Sequence, residues 1–150
     1  MAQSFKGKKF NGNITMWNTK KVTTMAEMFA STTNFNKDIS SWDVSGVKSM
    51  EDMFAFSSAF NQNIKNWNVG QVTNMNGMFN GSASFDKDIT GWATNPSGTF
   101  VDMFGSGAKF AVQYECSNSA CDSEACMIEK PTGPIYGTCG PPSYLSLIHI

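Results

Sequence analysis

The apolar residues of this chain recur at a fixed spacing. Phenylalanine stands at Phe10, Phe35, Phe60, Phe85 and Phe110, and other apolar columns keep the same spacing. A period of about 25 residues is typical of repeat proteins, in which each unit is a small coil that buries its apolar side only by stacking on its neighbours. The pattern therefore predicts a stacked array, with function on its outer surface rather than in one pocket.

The apolar columns predict the core of the stack. Residues at one repeat position lie above one another when coils stack, so the aromatic positions form ladders and the methionines fill the space between them. We interpret these columns as structural rather than ligand-binding, because periodic apolar positions are usually core. The predicted ladders are Phe10, Phe35, Phe60, Phe85, Ile14, Ile39, Ile64, Ile89, Trp17, Trp42, Trp67, Trp92, Met28, Met53, Met78, Met103, Phe29, Phe54, Phe79 and Phe104.

The repeat unit reads F-N-x-[ND]-I-x-x-W-[ND]-x-x-x-V-x-x-M-x-x-M-F, followed by five small or polar residues. Residues 1–9 look like the second half of an earlier unit, one spacer residue short and with Ser4 where methionine would stand. They are therefore predicted to form a partial N-terminal repeat. The four complete units align without insertion at 10–34, 35–59, 60–84 and 85–109.

Each unit predicts a short strand followed by a helical turn. The segment Val22–Met25 and its equivalents favour a strand of ~4 residues that pairs in parallel with the next coil. The following M-x-x-M-F places its apolar residues on one helical face, which predicts a short helix or 3₁₀ turn. The Asn and Asp residues of the next unit favour Asx turns. We expect a weaker strand in the fourth unit, where Ser97 replaces valine and Pro96 cannot donate to a ladder.

An irregular segment containing all four cysteines follows the array. The repeat stops after Phe110, so residues 110–142 are predicted to be a cap or the start of a neighbouring module. An even cysteine cluster favours disulfides, whereas the competing zinc site lacks close C-x2-C pairs and a nearby histidine. The run Leu-Ser-Leu-Ile-His-Ile within 143–150 resembles a translated sequencing adaptor, so we set this tail apart as an expected artefact. The disulfide candidates, open to three pairings, are Cys116, Cys121, Cys126 and Cys139.

Composition argues against several partners. The formal net charge is -1 and every basic residue is lysine, which gives no electrostatic reason to expect nucleic acid or an anionic membrane. The chain has no apolar run long enough for a transmembrane helix, and residues 1–9 lack the apolar core of a signal peptide. We therefore expect no membrane insertion in this segment. The cysteine cluster favours an extracellular or cell-surface location.

The titratable residues indicate no catalytic site. The single histidine, His149, lies in the tail, so no Cys-His, Ser-His-Asp or histidine-rich metal arrangement can be assembled. We predict no catalytic residue, no cofactor and no metal ion. Calcium at Asp86 and Asp88 is disfavoured because the G-G-x-G-x-D repeat is absent. The recurring carboxylates are interpreted as solvated turn or helix-start residues, namely Asp38, Asp43, Glu51, Asp52, Asp86 and Asp88.

Two stretches carry a resemblance to a known repeat. Residues 35–45, F-N-K-D-I-S-S-W-D-V-S, and residues 72–79, V-T-N-M-N-G-M-F, resemble the repeat of BspA-like surface proteins, a leucine-rich-repeat-related family best known from mycoplasma-type lipoproteins. The match extends from Phe10 to Phe110. The resemblance implies a leucine-rich-repeat-like solenoid at a cell surface, with adhesion as its role. The family supplies no catalytic residues.

Three functions remain in view. The favoured one is a non-catalytic surface or secreted scaffold for adhesion or recognition, with an unidentified protein or glycan as its ligand. An ice- or crystal-surface-binding solenoid is the first alternative, although its expected threonine column reads Thr23, Lys48, Thr73 and Gly98. The second alternative is a non-catalytic part of a larger secreted enzyme.

Overall fold

A computed structural model describes residues 1–105 and two short strands further along the chain. The strands are β1 (Tyr114–Glu115) and β2 (Ile128–Glu129), and they pair antiparallel. No helix occurs in the described residues, and hence none there that could cross a membrane. The strands fall inside the predicted segment 110–142, whereas the four cysteines and the tail 143–150 lie outside the described residues.

Successive repeat units lie side by side in register. Each unit contributes one residue to a row of isolated parallel bridges, where the sequence predicts a strand of ~4 residues. Next to this row, the N–H of Lys48 donates to the carbonyl of Thr23 at 2.8 Å, and the N–H of Thr73 donates to the carbonyl of Lys48 at 2.8 Å. The bridged pairs are Thr24 with Ser49, Ser49 with Asn74, and Asn74 with Thr99.

The M-x-x-M-F segment joins its coil to the next one by an alternating pattern of hydrogen bonds. In the second unit, every other backbone N–H donates to the following coil at 2.7–2.9 Å, from Met50, Asp52, Phe54 and Phe56. The intervening N–H groups of Met53, Ala55 and Ser57 donate to the carbonyl three residues back within the same coil. The backbone of this buried side is thereby paired without forming a helix or a continuous strand.

A left-handed residue at every fourth position explains why this segment is not a helix. Asp52 and Phe56 have φ values of 50° and 57°, and the equivalent residues of the third unit are Gly77 and Gly81, at 62° and 68°. Each left-handed residue interrupts a right-handed helix. The observed segment therefore differs from the short helix or 3₁₀ turn expected from the methionine and phenylalanine spacing.

Residues 1–9 form half a coil against the first complete unit. The N–H of Phe5 donates to the carbonyl of Met28, whereas the equivalent bond between complete units runs from the N–H of Phe29 to the carbonyl of Met53. Phe5 and Met28 are one position closer in sequence than Phe29 and Met53. This difference matches the single spacer residue that the partial unit lacks. The ring of Phe5 stacks on that of Phe29 at 5.5 Å, so the half-coil also continues the phenylalanine ladder.

The predicted ladder residues make up most of the core. Two phenylalanine columns alternate. Ring centroids are 3.8–4.1 Å apart where the end of one unit leads into the start of the next, and 5.5–6.0 Å apart between equivalent phenylalanines of neighbouring units. The exceptions are Phe10, which is only partly buried, and Trp17, which is 42% exposed. Both lie at the end of the stack, where the half-coil 1–9 supplies no Phe-to-Trp segment to cover them.

The fourth coil keeps its place in the bridge row despite its proline. Gly98 turns back and donates its N–H to the carbonyl of Asn95 at 2.8 Å, so the N–H of Thr99 takes the carbonyl of Thr73 at 3.0 Å. In the fourth coil the donor is thus Thr99 rather than Gly98, the residue equivalent to Lys48 and Thr73. The bridge of Asn74 with Thr99 is retained. Where we expected a weaker strand, the chain accommodates Pro96 by this shift.

We predict that Phe54→Ala lowers the free energy of unfolding by ~3–5 kcal/mol, because it empties a buried ring site contacted from both neighbouring coils. Phe10→Ala, at the partly exposed end of the ladder, serves as the matched control and should cost about half as much. Urea unfolding followed by tryptophan fluorescence measures both. Equal costs at the two positions would contradict the ladder account.

Candidate ligand-binding surface

The bridge row supports one exposed face of the stack. We call the side chains of Thr23, Lys48, Gln71 and Thr73 the bridge face; all four residues are exposed. The Lys48 ammonium donates to Gln71 Oε1 at 2.7 Å, and the Thr73 hydroxyl donates to the Lys48 carbonyl at 3.1 Å. Because the backbone beneath is fixed by hydrogen bonds between coils, these side chains stand on a rigid base.

A second exposed row consists of Asx turns. The side-chain oxygens of Asn13, Asp38, Asn63 and Asp88 each accept the backbone N–H two residues later at 2.9–3.1 Å. Asp88 also accepts the Thr90 hydroxyl at 2.6 Å and the Lys65 ammonium at 2.9 Å. These bonds, the Thr90 hydroxyl first, lower the pKa of Asp88 from 3.8 to about 2. The Asp88 carboxylate is therefore engaged by hydrogen bonds to Thr90 and Lys65.

The M-x-x-M-F edge carries an exposed aromatic residue and a carboxylate. Phe56 is 56% exposed, and its ring lies over Gly81, where a Cβ atom would come within 2.5 Å of the ring. The Asp52 carboxylate covers Gly77 in the same way. Burial, followed by the neighbouring Glu51 charge, raises the pKa of Asp52 above its ordinary value. Gly77 and Gly81 of the third coil thus each accommodate a side chain from the second.

Thr94 carries a buried hydroxyl without a hydrogen-bond partner in the structure described. The same column contains Thr19, whose hydroxyl donates to the Asp43 carbonyl at 2.9 Å, and the apolar Val44 and Val69. The acceptor of the Thr19 hydroxyl is a carbonyl of the next coil. The residue that would offer the equivalent carbonyl to Thr94 lies outside the described residues. Thr94 is therefore a polar group in a position that two other coils fill with valine.

The two carboxylates considered for calcium each form an ion pair with a lysine. Asp86 forms an ion pair with Lys87 at 3.3 Å, while Asp88 pairs with Lys65. No group of three or more His, Cys, Asp or Glu residues able to hold a metal ion occurs in the part of the chain that the structure describes. The four candidate disulfide cysteines and His149 lie beyond it.

Two features of the surface were missed by the sequence reasoning. The left-handed positions were signalled by Gly77 and Gly81, since glycine is the residue that most readily adopts positive φ. The exposed apolar residues Met16 and Phe56, 91% and 56% exposed, were signalled by columns that hold polar residues or glycine in other units. An apolar residue at a repeat position that is polar in the other units therefore indicates an exposed apolar side chain.

Comparison with known families gives one match. A sequence model of the family described as "Mycoplasma protein of unknown function, DUF285" matches residues 1–117, which include the partial repeat and all four complete units. No curated protein matches the chain. No solved structure matches it either.

We predict that Thr94→Val stabilises the protein by ~1 kcal/mol, because it removes a buried hydroxyl that has no partner among residues 1–105 and installs the residue that fits this column in two other coils. Thr19→Val is the matched control. It should destabilise by ~1 kcal/mol, since it leaves the Asp43 carbonyl without its donor. Chemical unfolding of the two variants should give opposite signs, and a destabilising Thr94→Val would contradict this assignment.

We also predict that Asp88 contributes to stability in a pH-dependent manner. Its pKa is lower in the folded chain, so its contribution is fully present above pH ~4 and is lost as the pH falls from 3.8 to about 2. The difference in unfolding free energy between wild type and Asp88→Asn should shrink over this interval. Lys65→Met should move the Asp88 pKa back toward its ordinary value. A carboxyl resonance of Asp88 titrating near 3.8 in the wild type would contradict the prediction.

Proposed function

This chain belongs to the DUF285 family of Mycoplasma proteins of unknown function, and we propose that it is a BspA-like, non-catalytic recognition scaffold displayed at the cell surface or secreted. In this proposal the stacked units form a leucine-rich-repeat-like solenoid. Its ligand is a protein or a glycan outside the cell. The observation that carries the proposal is the division between a repeated apolar core and a polar surface that changes from coil to coil.

This division supports a recognition function because the core positions stabilise the stack, whereas the exposed positions can vary without affecting it. The ladder columns repeat the same residue types, as stacking requires. The column beside the bridges reads Thr23, Lys48, Thr73 and Gly98. Its first three residues are exposed and are free of that constraint. A rigid frame that carries varied hydroxyl, amide and ammonium groups suits hydrogen bonding to sugars or polypeptides. We therefore assign ligand contact to the bridge face.

The alternatives receive less support from the same surface. An ice-binding face would need one residue type repeated along a row, but the column that contains Thr23 and Thr73 has Lys48 and Gly98 at its other two positions. The carboxylates Asp38 and Asp88 are engaged by neighbouring N–H and hydroxyl groups, which favours a structural role over acid-base catalysis. We therefore propose a binding scaffold ahead of both alternatives.

The proposal predicts binding of the full chain, purified without reductant, to members of a broad glycan and extracellular-matrix protein array. The variant Lys48→Ala with Thr73→Ala should weaken that binding by about tenfold, the usual effect of losing two polar contacts. Lys65→Ala, which removes the same charge from the Asx-turn row, is the matched control and should bind as wild type. Absence of binding to any array member, or an equal loss in the control, would contradict the proposal.

A further inference from the structure

The third coil contains two asparagines that are each followed directly by glycine. The pairs are Asn76-Gly77 and Asn80-Gly81, and a third pair, at 11–12, occupies a different repeat position. Both glycines of the third coil are left-handed, with φ values of 62° and 68°. Because glycine has no Cβ atom, its backbone nitrogen can be approached by the preceding side chain. The two pairs therefore share the same reactive sequence within one coil.

An asparagine in this sequence can react with the backbone nitrogen that follows it. The glycine nitrogen attacks the side-chain carbon Cγ, and the new C–N bond closes a five-membered succinimide ring. The bond between Cγ and Nδ2 breaks, and the Nδ2 nitrogen takes up the glycine proton and leaves as ammonia. Water then opens the ring at either carbonyl, which gives aspartate or isoaspartate. The attack competes with any hydrogen bond that the glycine N–H or the asparagine side chain makes.

Hydrogen bonds hold the first pair in place. The N–H of Gly77 donates to the carbonyl of Val101 at 2.9 Å, and the side-chain oxygen of Asn76 accepts the N–H of Val101 at 2.9 Å. Gly77 is also buried. Formation of a succinimide at Asn76 has to break both of these bonds, so the fold protects this pair.

The second pair has neither of these bonds. At the same repeat position in the second coil, the N–H of Phe56 donates to the following coil, but the N–H of Gly81 has no acceptor within residues 1–105. The equivalent acceptor would be the carbonyl of Gly105, which the structure describes. The Asn80 side chain lies against Gly105 without a hydrogen bond to any described residue. Gly81 is also partly exposed, so no hydrogen bond opposes the attack.

Reaction at Asn80 changes a contact between neighbouring coils. The carbonyl of Asn80 accepts the N–H of Phe56 at 2.7 Å, and the Phe56 ring lies over Gly81. In isoaspartate the main chain runs through the side chain and is one carbon longer, so this carbonyl becomes part of a carboxylate that the main chain no longer positions. The bond from the N–H of Phe54 to the carbonyl of Met78, at 2.9 Å, lies before the inserted carbon. Conversion should therefore loosen the first bond and leave the second.

We propose that Asn80 is a site of spontaneous deamidation, with water as the only co-reactant, and that the resulting isoaspartate loosens the contact between the second and third coils at Phe56. The fold selects the site, because the protected pair at Asn76 has the same Asn-Gly sequence. Since no enzyme is required, the converted fraction rises with the age of the molecule. The inference does not depend on ligand binding at the bridge face, so it is tested separately from the proposed function.

The test incubates the full chain in mildly alkaline buffer and follows residues 66–87, one tryptic peptide that contains both pairs, by tandem mass spectrometry. Deamidation at Asn80 should be at least about tenfold faster than at Asn76, because only Asn76 must give up two hydrogen bonds. In urea the difference should disappear. Asn80→Ala, which installs the alanine found at this position in the first two coils, should abolish the product at residue 80 and leave the rate at Asn76 unchanged.

Hydrogen exchange measures the consequence of the modification. In the isoaspartate form the amide of Phe56 should exchange several-fold faster than in the unreacted chain, whereas the amide of Phe54 should be unchanged. Asn80→Asp is the matched control, because it adds the same charge without lengthening the main chain, and its Phe56 amide should exchange as in the wild type. The proposal is overturned if the two asparagines react equally fast in the folded chain, if the preference persists in urea, or if Phe56 exchanges no faster in the isoaspartate form.

Discussion

The structure depends on hydrogen bonds that join each coil to the next in a fixed register. Because the N–H groups of Met50, Asp52, Phe54 and Phe56 all find carbonyls of the following coil, a coil cannot slide without losing every one of them. The same register places phenylalanine over phenylalanine, with rings within 18° of parallel between coils. Backbone pairing and ring packing therefore specify the same alignment, which favours one arrangement over its shifted alternatives.

This register also determines what each part of the surface can do. The phenylalanine, isoleucine and tryptophan columns of the core repeat, because each of these side chains packs against its equivalents in the neighbouring coils. Exposed positions such as Lys48 and Thr73 carry no such requirement, so the chemistry of the bridge face varies along the stack. A repeated interior thus supports an exposed face whose side chains vary along the stack.

The sequence predicts which residues of neighbouring coils lie over one another, but it does not predict the backbone conformation of the M-x-x-M-F segment. The ladder residues could be recognised because burial restricts a column to one residue type, as at Ile39 and Ile64. The methionine and phenylalanine spacing suggested a helix, but the same spacing also suits a segment with a left-handed residue at every fourth position. That conformation depends on bonds to the next coil, which no single unit encodes. The exposure of Trp17 likewise follows from its place in the stack rather than from its repeat position.

The most direct test of this account is the measurement of scalar couplings across backbone hydrogen bonds by nuclear magnetic resonance. The account predicts a coupling between the amide nitrogen of Phe54 and the carbonyl carbon of Met78, the donor and acceptor of a 2.9 Å bond between neighbouring coils. A coupling from Phe54 to the carbonyl carbon of Met50 instead would show that the segment is an α-helix. That result would contradict the stacking register on which the core and the bridge face both depend.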